Sequence, residues 1–143
     1  MTKRQQLLDI LKSKLQTIKT GEDSTYKTDF DKVTIHQDTP TQYEQNHLNI
    51  TDSDEKYEWK NREYEAKVDI YLNATVVETQ TPASELGNLA LSDMIRAVLE
   101  LANSPDKKCF VIRLDESAKW IETKGKTACR VELKILATYR FGN

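Results

Sequence analysis

The sequence predicts an α+β fold: one domain in which a mixed β-sheet carries two helices on one face and ends in a long β-hairpin. Three stretches carry that prediction. From Thr127 to Phe141, Cys129, Val131, Leu133, Ile135, Ala137, Tyr139 and Phe141 alternate with Arg130, Glu132, Lys134, Thr138 and Arg140, and only Leu136 breaks the polar side. Successive strand side chains point to opposite faces, so this is a strand with one buried face, and at about 3.3 Å per residue it spans roughly 50 Å. Ala66, Val68, Ile70 and Leu72 alternate in the same way with Lys67, Asp69, Tyr71 and Asn73. Between these strands, the helical spacing of Leu86, Leu89, Ala90, Met94, Ile95, Val98 and Leu101 supplies the other half of a core.

The totals agree with a single domain over residues 1–143. A chain of 143 residues can bury a core without disulfide or metal support. Its apolar fraction of 38% and charged fraction of 31% give a heavily solvated surface. The net charge of -2 is unevenly placed. Residues 1 to 20 hold five Lys/Arg against Asp9, while residues 21 to 65 hold twelve acids against five bases. No basic field large enough to dominate nucleic-acid binding arises, and no sequence-specific nucleic-acid partner is expected. No apolar run reaches membrane-spanning length, and Asp9, Lys12 and Lys14 break the first apolar cluster, so no signal peptide or membrane partner is expected and the chain reads as cytoplasmic in origin.

Taken in order, Thr2-Lys3-Arg4-Gln5 forms a capping box, and Leu7, Leu8, Ile10, Leu11, Leu15 and Ile18 follow helical spacing up to Gly21. Lys12 and Lys19 lie on the other face of this helix, read first as a solvated face and second as a binding stripe. Val33 with Ile35, and Leu48 with Ile50, mark two brief half-buried strands. Residues 36–61 otherwise read as a polar, mobile loop that becomes ordered on assembly, because their apolar residues are too few to offset the cost of ordering. Tyr57 and Trp59 stand out within it, either as cover for a sheet edge or as anchors in an interface. The next strand runs from near Arg62 to Val77. Thr81-Pro82 then caps and opens a helix reaching about Ala102, in which Gly87 can allow a neighbour's close approach. A hairpin turning at Lys124-Gly125 pairs Phe110 with Tyr139, Ile112 with Ala137, Leu114 with Ile135 and Trp120 with Cys129. That register holds Cys109 far from Cys129, leaving two buried free thiols.

Motifs that name a reaction are missing. There are four glycines, with no phosphate loop, dinucleotide fingerprint or nucleophile elbow. His36 and His47 read as solvated loop histidines without ligand-like companions. Asp52-Ser53-Asp54 opens like a calcium loop, with Glu63 at the twelfth position, but Lys56 takes a ligand position and Tyr57 replaces the glycine that the turn needs. A magnesium-dependent nuclease built on Asp115, Glu132 and Lys134 is the enzymatic alternative, although cross-strand charge pairing accounts for that trio without a metal. No catalytic residue, metal or cofactor is therefore expected.

The order of elements resembles the tail terminator proteins of long-tailed bacteriophages, also called tail completion or minor tail protein U-like. The likeness covers nearly the whole chain and rests on the first helix with Leu7, Leu8, Leu11 and Ile18, the strand Ala66 to Leu72, the helix Ala83 to Leu101, and the last strand Val131 to Phe141. The resemblance implies a structural virion protein at the tail-neck region, assembled in the bacterial host cytoplasm. Such proteins form a ring, usually of six subunits, that caps the tail tube and joins it to the head connector; other phage neck or head-tail adaptor proteins are the nearest alternative. The residues that suit such contacts are Tyr57, Trp59, Lys12, Lys19, Arg130, Lys134 and Arg140.

Overall fold

The computed structural model describes residues 2–36, 45–124 and 126–141. Helix α1 spans Lys3–Leu15, followed by strands β1 (Lys32–Ile35), β2 (His47–Lys60) and β3 (Glu63–Val77), helix α2 (Ala83–Ala102), a short 3-10 turn (Pro105–Lys107), and strands β4 (Val111–Lys124) and β5 (Lys126–Phe141). The five strands form one sheet in the order β1-β2-β3-β5-β4. β1 and β2 are parallel and the other neighbours antiparallel, so the sheet is mixed and the α+β class holds.

The centre of the sheet is the pair of alternating strands. β3 and β5 pair from Tyr64 opposite Phe141 to Val77 opposite Ala128, which aligns Val68, Ile70 and Leu72 with Ala137, Ile135 and Leu133 on one face. Those six residues are buried, and both helices lie over them. α2 brings Gly87 against Cys129 and Val131, and an added Cβ there would stand 2.3 Å from Cys129 Sγ, so the close approach needs glycine. α1 buries Leu7, Leu8, Leu11 and Leu15, and its Arg4 reaches Asp52 on the helix side of β2. No helix among the described residues is long and apolar enough to cross a membrane.

Helix boundaries differ from expectation in small ways. Thr2 Oγ1 accepts from Gln5 N–H at 3.1 Å, but the Gln5 side chain donates to Asp9 instead of closing the capping box. α1 stops at Leu15, and the Ile18 N–H turns back to the Leu15 carbonyl while Ile18 stays buried. At α2 the cap position is Pro82, whose carbonyl accepts from Leu86 N–H at 3.1 Å.

Three expectations are corrected. The polar loop expected at 36–61 is largely strand: β2 pairs with β3 from His47 to Lys60, while residues 37–44 lie outside the described residues. Asn61 and Arg62, both at positive φ (51° and 66°), make the two-residue turn between them, a geometry that matches the twist of antiparallel strands. The final hairpin follows the expected register at Ile112 and Leu114. A bulge at Asp115 then moves every later residue by one, so Trp120 faces Arg130 and Glu132 faces Ala118. Finally, both cysteines are free, yet only Cys129 is buried; Cys109 is exposed.

Candidate interaction surface

β2 changes phase along its length. Leu48, Ile50 and Asp52 face the helices, a bulge at Ser53 and Asp54 follows, and beyond it Glu55, Tyr57 and Trp59 take over that face. The bulge is held by one side chain of α1. Arg4 forks onto it, with Nε on Asp52, Nη2 on the Ser53 carbonyl and Nη1 3.4 Å from Glu55. Glu55 also accepts from the hydroxyls of Tyr139 and Tyr57, the latter at 2.7 Å. Burial works against the Arg4 charge, but its bond to Asp52 and the charges of Asp52 and Glu55 outweigh that and raise its pKa. Tyr139 is raised strongly, first by burial and then by its bond to Glu55; Tyr57 is raised chiefly by the Glu55 bond. Near pH 7 both phenols therefore keep their protons and donate them in hydrogen bonds to Glu55.

This network sets the base of an aromatic cluster. Phe110 meets Tyr139 edge to face at 5.6 Å, Tyr139 leads to Phe141 at 6.2 Å, and Phe141 stacks on Tyr64 at 5.7 Å and takes Tyr57 edge-on at 5.9 Å. Trp59 packs on Tyr64 at 4.8 Å. The series runs from a fully buried ring to rings open to solvent: Tyr57 is 58% exposed, Trp59 50% and Tyr64 39%. Lys3 closes one side, its ammonium bonded to the Arg140 carbonyl and 5.9 Å from the Tyr139 ring centre. Together Lys3, Glu55, Tyr57, Tyr139 and Phe141 line an open cleft.

The remaining expected interface residues lie elsewhere. Arg130, Lys134 and Arg140 share the opposite face of β5, each beside an acid. Arg130 is 3.8 Å from Glu122 and stacks on Trp120, Lys134 is 3.2 Å from Asp115, and Arg140 is 3.2 Å from Glu63. The Asp115 bond raises the Lys134 pKa. Lys12 is half-buried on α1, and Lys19, past its end, donates to the Phe30 carbonyl at 2.8 Å. The structure thus joins Tyr57 and Trp59 and separates them from the five basic residues.

Sequence reasoning missed Arg4, Glu55, Tyr64, Tyr139 and Phe141 as members of this surface. Their only signal was the β2–β3–β5 register, which a bulge concealed. It also misplaced His47, which is a buried strand residue with its Nε2 2.7 Å from Thr34 Oγ1, not a solvated loop histidine. Burial, with Lys32 nearby, lowers the His47 pKa. The acids read as a weak calcium loop have other partners, Asp52 bonding Arg4 and Glu63 bonding Arg140. Among the described residues, no three His, Cys, Asp or Glu side chains converge as a metal-binding group.

No family model matches the chain, and no curated protein matches it.

Proposed function

We propose that the chain is a structural subunit and not an enzyme, associating with copies of itself into a ring, hexameric in the tail terminator pattern, that caps a phage tail tube and joins it to the head connector. Its place would be the tail-neck region of the virion, with assembly in the bacterial host cytoplasm. The observation that supports this reading is the open aromatic end of the sheet. Tyr57, Trp59 and Tyr64 stand on a hairpin fixed by Arg4 and Glu55, their large rings exposed, Trp59 packed on Tyr64 and Tyr57 on Phe141. Tyr and Trp recur among the residues that dominate association, and holding them in place beforehand lowers the ordering cost of binding. Mixed charge on the opposite face, with Glu58, Lys60, Glu65, Lys67 and Arg140 paired among themselves and with neighbours, suits a solvated or transient surface.

Electron microscopy and sedimentation of the purified protein, alone and with tail tubes, test the reading. Rings that sit on tube ends are expected. A monomer that ignores tubes would overturn it, and binding to connectors without ring formation would replace it with a neck adaptor. Magnesium-dependent DNA cleavage lost in Glu132→Ala would replace it with the nuclease built on Asp115, Glu132 and Lys134.

A further inference from the structure

The sheet has a notch along one edge. β1 covers only His47–Ile50 of β2, so among the described residues no strand lies beside the rest of β2 on that side. The bulge distorts the first part of this edge; beyond it Lys56 to Lys60 is regular in its pairing and exposed at every residue. The other edge of the sheet is β4. Past its own bulge, Glu116 to Ile121 is regular and exposed on both faces, Ile121 at 52%. An open regular edge carrying apolar side chains is a template for another strand.

Two observations identify a second copy of this chain as the occupant. The first is direction. β2, β3, β5 and β4 are successively antiparallel, so the two outer long strands run opposite ways. A copy placed alongside without inversion presents its β4 antiparallel to β2, with both helix layers on the same side. The second is charge. Lys56 faces Lys67 of β3, whose own acids are Glu58 and Glu65, so a carboxylate on the open side of Lys56 places an opposite charge beside it and eases the like-charge pairing.

We propose that residues 118–122 of one copy's β4 add to residues 56–60 of the next copy's β2, with Tyr57 opposite Ile121, Trp59 opposite Lys119 and Lys56 opposite Glu122. Both β4 partners lie on the helix side: Lys119 donates to Ser84 and Asn88 of α2, leaving its alkyl stem to Trp59, and Ile121 shares its face. A shift of two residues one way sets Glu58 against Glu122, and the opposite shift sets Ile121 against the Glu55 carboxylate. Charge and polarity therefore select one register.

The contact is heterologous, joining two different patches, and such contacts close into rings when their rotation permits. It rests on the self-association proposed above and adds the surfaces that carry it. Lys56 is level with Val111 and Thr138 in its own sheet, and Glu122 with Ala128, so seating Lys56 beside Glu122 slides the neighbour along the strands by about 33 Å. In a closed ring that slide tilts the strands against the ring axis.

Disulfide trapping in a Cys109→Ser background tests the register. Lys56→Cys mixed with Glu122→Cys should give, under mild oxidation, a cross-linked dimer containing one of each. The double variant should give a ladder of covalent oligomers ending at the ring size seen by native mass spectrometry. Rings without cross-links, or a faster cross-link between Glu58→Cys and Glu122→Cys, would overturn this contact while leaving the ring reading in place. A monomer at every concentration would overturn both.

Discussion

The two ends of β3 and β5 use the same alternation toward opposite results. At the end near Val77, the inward residues Leu72, Ala74, Cys129 and Val131 are covered by α2 and lose their water. At the end near Tyr64, the same inward face carries rings that no described helix covers, and Arg4 and Glu55 hold the strands where a core would otherwise do so. A strand pattern specifies which side chains share a face, not what lies over that face. The covered end is the core, and the open end is the surface proposed for association.

Substitutions can break this contrast, the largest effect being expected in the covered half. Leu133→Ala should cost about 2 to 5 kcal/mol, as for other large-to-small core changes. Lys134→Ala, next to it on the outer face, should cost far less, because it removes an ion pair with Asp115 at the surface and opens no cavity. Thermal or denaturant melts decide the order, and a reversal would mean the faces are misassigned.

A smaller effect is expected where α2 meets β5. Gly87→Ala gains helix propensity of about 1 kcal/mol, yet its new Cβ collides with Cys129 Sγ. Overpacking of this kind typically costs about 1 to 3 kcal/mol, so the variant should be less stable. Adding Cys129→Ala should recover part of the loss, and a double-mutant cycle showing no coupling would place the two residues out of contact.

The open end gives a pH signature smaller still. The folded state holds the Tyr139 proton above the phenol's ordinary range through burial and the Glu55 bond, so this contribution is intact below about pH 10. It is lost as pH rises through the folded value, because the unfolded chain releases the proton first. Ultraviolet titration should show Tyr139 ionising last, after Tyr57 and Tyr26, which are also raised, and Glu55→Gln should bring that last step to lower pH. An unchanged titration would separate Tyr139 from Glu55.

Much of the covered half was legible in the sequence and much of the open end was not. β3, α2 and β5 carry clear periods, that of β5 broken on its polar side at Leu136, and Gly87 was legible as a point where a neighbour could approach. β2 was hidden because the bulge at Ser53 and Asp54 changes its phase, and because Asp52 and Glu55 occupy inward positions that a pattern assigns to apolar residues. Their partner Arg4 lies 48 and 51 residues away, a distance no local period reports. The bulge at Asp115 displaced the hairpin register in the same manner. Tyr57 and Trp59 were visible as large rings in a polar stretch, but Tyr64 and Phe141 join them only through the paired strands.

The most direct test replaces both outer rings, Tyr57→Ser with Trp59→Ser, and measures assembly and stability on one sample by native mass spectrometry and thermal melting. An association surface predicts that oligomers disappear while the melt stays close to that of the parent chain, since both side chains are half or more exposed. Oligomers that survive the double substitution, or a melt that collapses with it, would contradict the account and return the aromatic end to the fold.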